Sequence, residues 1–115
     1  MEATKMETTR VTVDEVLERM NRGEQFTFLD ARNPQAWSEA DSKLPGAIRV
    51  PADEVENHIA EIPKDRVVIT YCTCPNEASA ARVAEELTER GWKNVHPLYG
   101  GFEAWKEAEG PIEPK

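Results

Sequence analysis

Thiol and imidazole groups are scarce in this 115-residue sequence: it has two cysteines, Cys72 and Cys74, and two histidines, His58 and His96. Two cysteines separated by one residue make no secreted disulfide framework. A structural zinc takes four ligands, and neither histidine stands at ligand spacing to the pair, so no metal is expected. No apolar run approaches the roughly 20 residues of a membrane span. The segment from Met1 to Arg10 is polar and mixed in charge, without the apolar stretch of a signal peptide, so a cytoplasmic location is expected. Basic residues are also outnumbered, 14 Lys and Arg against 22 Asp and Glu, for a net charge of −8. Such a surface repels nucleic acid and anionic membranes, and neither is expected as a partner. Repeats, low-complexity tracts and linkers are missing too. One domain is therefore expected over residues 10–110, with an N-terminal arm at 1–9 and a tail at 111–115.

Hydrophobic residues make up 39% of the chain, enough for a core without staples. Thr12-Val13-Asp14-Glu15 reads as a capping box opening a helix that carries Val13, Val16, Leu17 and Met20, with Gly23 placed to end it. Phe26 to Asp30 reads as a buried strand. Asn33-Pro34 starts a short helix carrying Trp37. Asp41 to Lys43 reads as loop, Ala47 to Val50 as a second strand, and Asp53 to Ile62 as a helix. Arg66 to Tyr71, with its Val67-Val68-Ile69 run, predicts a strand buried on both faces. A helix over Ala80 to Arg90, a strand within Trp92 to Tyr99 and a short helix from Phe102 to Ala108 complete the pattern. Strands alternating with helices imply a parallel sheet covered on both faces. Ligands of such sheets bind beyond the carboxyl ends of the strands, which points to the segment after Tyr71.

Both cysteines lie there. A thiol ionises near pH 8.5, roughly, and lowering that by about two units, worth ~2.7 kcal/mol, makes it mostly thiolate at neutral pH. The unpartnered amides where a loop enters a helix favour negative charge. The expected chemistry of Cys72 is thus nucleophilic, with inert burial at a strand end as the competing reading.

Four segments carry a further signal: Phe28-Leu29-Asp30-Ala31-Arg32-Asn33-Pro34, Leu44-Pro45-Gly46-Ala47-Ile48, Val67-Val68-Ile69-Thr70-Tyr71-Cys72, and Leu98-Tyr99-Gly100-Gly101-Phe102-Glu103-Ala104-Trp105. In this order and at these separations, from about Thr12 to Trp105, the sequence resembles the rhodanese homology domain family. The resemblance implies an α/β fold of three layers, a five-stranded parallel sheet with helices on both faces. It implies a sulfurtransferase in which Cys72 carries a persulfide, with no cofactor. The residues that follow, Thr73, Cys74, Asn76, Glu77, Ala78 and Ser79, match the cradle, and Asp30 and Arg32 match positions beside it. A small-molecule sulfur donor, such as thiosulfate or a low-molecular-weight persulfide, or a protein persulfide would supply the sulfur. A thiol, a cyanide-like acceptor or a protein acceptor would take it.

The sequence departs from the family pattern in three places. Ser42-Lys43-Leu44-Pro45-Gly46-Ala47 lacks the histidine of the "G-H-I-P-G-A" segment. No Gly and no Arg lies between Cys72 and Ser79. Counting back from Gly91, the helix register selects Cys74, whereas the strand register selects Cys72; a loop longer by about two residues reconciles them in favour of Cys72. Pro75 removes one amide donor from the cradle. Glu77 either points inward, against a dianionic donor, or belongs to the first helical turn. Asn76 suits a turn and Ser79 a helix N-cap. Arg82, the nearest basic residue downstream, either offsets charge or faces solvent. Cys74 is either a resolving thiol or a spare one. His58 and His96 read as structural or solvated, the three tryptophans as packing residues, and Phe102 and Trp105 as candidates for the pocket mouth. Two alternatives stand beside the sulfurtransferase: a non-catalytic binding or redox-regulatory module, and an arsenate reductase or phosphatase. The last needs an arginine six residues after the cysteine, where Ala78 (from Cys72) or Ala80 (from Cys74) stands instead.

Overall fold

The β-branched run Val67-Val68-Ile69 sits at the centre of the sheet. The computed structural model describes residues 10–73 and 78–115. Its elements in chain order are α1 (Val13–Asn21), β1 (Phe26–Asp30), α2 (Pro34–Glu39), β2 (Ser42–Lys43), β3 (Ile48–Arg49), β4 (Val67–Tyr71), α3 (Ala78–Glu89), β5 (Val95–Pro97), α4 (Gly101–Glu107) and β6 (Glu113–Pro114). Four strands form a parallel sheet in the order β3-β1-β4-β5. Among the described residues the fifth position, expected as a strand, is held by Val11, which bridges in parallel to Leu98. Its amide donates to Pro97 O (3.0 Å) and its carbonyl accepts from Tyr99 N (2.8 Å). The next residue, Thr12, caps α1 through the capping box with Glu15, so the chain turns into a helix directly after Val11.

Strand alternation sorts the core into two layers. Val68, Cys72, Leu29 and Ala31 pack with Ala80, Val83, Ala84 and Leu87 of α3 on one face. Phe28, Ile69 and Tyr71 pack with Val13 and Val16 of α1 and with Phe102 and Trp105 of α4 on the other. Buried Thr70 faces the α3 layer, where its hydroxyl donates to Ala80 O at 2.9 Å and ties the end of β4 to the helix after it. Asn33 caps α2 by accepting from Ala36 N, with Pro34 at the first helical position.

Two segments differ from the sequence expectation. Residues 53–62 form two short 3-10 turns, Val55–Asn57 and Ile59–Glu61, in place of a helix. His58 between them has φ −119° and ψ 1°, which breaks the α ladder, and a segment this short has little propensity of its own to restore it. The Ser42–Lys43 segment, read as loop, is β2: it pairs antiparallel with β6, and a Lys43–Glu113 ion pair at 3.7 Å joins the two. Among the described residues no helix is long and apolar enough to cross a membrane.

Candidate functional site

The carboxyl ends of β1, β3 and β4 converge, as expected for a parallel sheet. Cys72 lies one residue beyond β4 and is 1% exposed, packed in the α3-side core layer with Ala31 and Ala80. Its carbonyl accepts from Phe102 N at 3.0 Å, which fastens the start of α4 to the strand end. Gly101 makes this approach possible. It has φ +60°, and a Cβ there would run into the Cys72 carbonyl oxygen. Gly101→Ala is therefore expected to lower stability by more than about 1 kcal/mol. It should also disturb the Cys72 backbone, seen as a changed rate of Cys72 alkylation at denaturant concentrations where the fold is intact.

A buried polar network lies behind the cysteine, on the opposite face of the sheet. Asp30 is fully buried, and its carboxylate accepts from Arg32 Nε (2.9 and 3.0 Å), Arg32 Nη2 (2.5 Å) and Tyr71 Oη (2.8 Å). Arg32 Nη2 also donates to Ser42 O at 2.9 Å, and Leu44 N donates to Tyr71 Oη at 3.3 Å. The Arg32 guanidinium carbon lies 4.6 Å from the Phe102 ring centroid and 5.5 Å from those of Trp37 and Tyr71. Aromatic faces and a carboxylate thus replace the water this cation gives up.

Burial, followed by the neighbouring Asp30 carboxylate, pushes the Tyr71 phenol well above the ordinary tyrosine range. In the unfolded chain that phenol ionises near pH 10, roughly. The stability tied to the neutral phenol is therefore complete below about pH 10 and is lost as pH rises above it. Denaturant midpoints should fall through that range more steeply in the wild type than in Tyr71→Phe. In the native protein Tyr71 should contribute no tyrosinate absorbance there.

Two cavities share Arg32 in their walls. A cavity of about 390 Å³ on the α4 side is lined by Arg32, Thr73 and Phe102, with Glu39, Asp41, Glu103 and Lys106 at its charged wall. One of about 170 Å³ toward α3 is lined by Ala31, Arg32, Asn33, Asp53, Ser79 and Arg82, among others. Of the residues singled out in the sequence, Arg32 reaches both cavities, Thr73 the larger and Ser79 the smaller. Ala78 is exposed on α3. Cys74, Asn76 and Glu77 lie outside the described residues, as do Pro75 and the question of which way Glu77 points. Ser79 is not the N-cap expected of it; it lies within α3. Trp105 is not at a pocket mouth either: it is fully buried, edge-on to Phe28, with its indole N–H donated to Pro111 O at 2.7 Å. Phe102 does line the larger cavity. His58 pairs with Glu61 at 3.1 Å. The sequence pattern did not single out Asp53, which no motif marks.

The family model for the rhodanese-like domain matches residues 12–108. The chain belongs to the rhodanese-like domain family. Within it, the chain is 30% identical over 81 residues to the thiosulfate sulfurtransferase GlpE of Coxiella burnetii, covering 70% of this chain and 72% of that protein. It is 30% identical over 95 residues to a sulfurtransferase of Allochromatium vinosum, covering 83% and 85%. Its fold is similar to the solution structure of the rhodanese-like domain of the Anabaena protein Alr3790, with TM-score 0.74 and 26% identity over 90% of this chain and 77% of that one. The rhodanese-like sheet, its strand-end cysteine and its sulfurtransferase relatives give a sulfurtransferase-like protein in coarse terms.

Proposed function

We propose that this protein is a sulfurtransferase that carries a sulfane sulfur as a persulfide on Cys72. The observation that carries the reading is the placement of Cys72 at the carboxyl end of the central strand, its backbone clamped by α4 and its side chain toward the face where Ser79 and Arg82 border a small cavity. The reaction runs in two displacements. The Cys72 thiolate attacks the outer sulfur of a donor such as thiosulfate; the donor's S–S bond breaks and sulfite leaves with its electron pair. An acceptor thiolate or cyanide then attacks the outer persulfide sulfur, and the Cys72 thiolate leaves. Neither step needs an oxidant, a metal or a cofactor.

Phosphoryl transfer through the same cysteine has weaker support, because Ala78 stands where a bidentate arginine would hold the oxyanion. The test is turnover with thiosulfate, or with a glutathione persulfide, and cyanide or a thiol as acceptor, alongside an aryl phosphate. The expected result is one sulfite released per thiosulfate consumed and no phosphate release. Absence of turnover with every sulfane donor would sink the reading in favour of a binding module.

A further inference from the structure

We infer that Arg82 is a specificity-determining residue that selects anionic sulfur donors, and that the small cavity it borders is the donor subsite; this rests on the sulfurtransferase reading. Alternation along β4 places Val68, Thr70 and Cys72 toward α3, and Ile69 and Tyr71 toward α1 and α4. The cavity on the Cys72 side is the one of about 170 Å³, and it shares Ala31 with the core layer that holds Cys72. At roughly 30 Å³ of liquid volume per water it holds a few waters or one small oxyanion, and no peptide. The Ala31 amide donates to Tyr71 O at 2.8 Å, which sets this wall beside the residue before Cys72.

Among the described residues, the charges around this cavity are two cations, Arg32 and Arg82, and one carboxylate, Asp53. The two cations differ in kind. Arg32 is buried and bonded to Asp30, so its charge is largely answered inside the protein. Arg82 is exposed, one helical turn after Ser79, and its other side borders a groove with Glu85, Glu86, Glu89 and Arg90. A guanidinium at that position suits the sulfonate end of a donor held in this cavity, with Ala31 as the wall shared with the layer of Cys72. It supplies at α3 the cation that the Cys72–Ser79 stretch lacks in sequence. Among the described residues the larger cavity has the opposite bias, with Glu39, Asp41 and Glu103 against Arg32 and Lys106, and it is lined by Phe102 of the opposite core layer.

The experiment is single-turnover loading of Cys72, followed by intact mass, with thiosulfate and with a neutral dialkyl trisulfide as alternative donors. Loading by thiosulfate forms the Cys72–sulfur bond, breaks the donor S–S bond and releases sulfite. Attack of the Cys72 thiolate on the central sulfur of the trisulfide breaks one S–S bond, releases an alkanethiolate and leaves Cys72–S–S–S–alkyl; attack on an outer sulfur releases an alkyl persulfide and leaves Cys72–S–S–alkyl, and both products differ in mass from the Cys72–S–SH formed with thiosulfate. The ratio of thiosulfate to trisulfide rates should fall about tenfold in Arg82→Gln, as for loss of one charge-assisted contact, and should shrink with added salt. Arg82→Lys should retain part of the ratio, and Arg90→Gln, which pairs with Glu86 away from the cavity, should leave it unchanged. An unchanged ratio in Arg82→Gln overturns the inference while the sulfurtransferase reading stands. An equal loss with both donors overturns it too, since that is damage and not selection. If the wild type loads with neither donor, both fall.

Discussion

Cys72→Ser is expected to lower sulfur transfer by at least about a thousandfold, because a serine hydroxyl cannot carry the persulfide that the reading places on Cys72. The fold should survive the change. A hydroxyl among Ala31, Ala80 and their neighbours costs about 1–2 kcal/mol against a typical total of roughly 5–15. Cys72→Ala, which adds no polar group, should be at least as stable and equally inactive. Circular dichroism and denaturant midpoints separate loss of chemistry from loss of structure. Cys74→Ser should retain persulfide formation; if it is the inactive variant while Cys72→Ser turns over, the helix register chose the right cysteine and the strand register did not.

The second large effect is on stability. In Asp30→Ala, Arg32 keeps its charge at 1% exposure while Nε and Nη2 lose their carboxylate, and Tyr71 loses its acceptor. Removing one partner of a buried ion pair costs about 3–5 kcal/mol. That is a large fraction of the stability of a domain this size, so the variant should show a strongly reduced urea midpoint at neutral pH. Adding Arg32→Met should recover part of the loss, because the uncompensated charge goes with it. A loss below about 1 kcal/mol in Asp30→Ala would mean that water reaches the pair and that it does not act as a buried support for the strand ends.

Local signals carried much of the architecture into the sequence. Thr12 and Glu15 cap α1, Asn33 and Pro34 open α2, and the apolar runs of β1 and β4 stand where they were read, because caps and strand patterns act over a few neighbours. Features that depend on distant partners were not legible. The β2–β6 pair is two residues on each side, held by backbone pairing that leaves no pattern. The burial of Arg32 follows from Phe102, Trp37 and Tyr71, brought together by three separate elements. Of the two readings of Trp105, packing residue and pocket mouth after the Gly100-Gly101 turn, the T-shaped contact with Phe28 selects the first, a contact no local pattern announces. For the candidate site, the strand-end position of Cys72 was legible from β4 alone. The small cavity was not, since Ala31, Asp53 and Arg82 come from the residue after β1, the turn after β3 and α3.

The most direct measurement is the site and stoichiometry of the bound sulfur. After incubation with excess thiosulfate and removal of the donor, the persulfide is capped by alkylation and the protein is digested and mapped by mass. The account predicts one extra sulfur atom per chain, on Cys72, and its disappearance on addition of a thiol or cyanide acceptor. An adduct on Cys74 in place of Cys72, or the same adduct on Cys72→Ser, would contradict it.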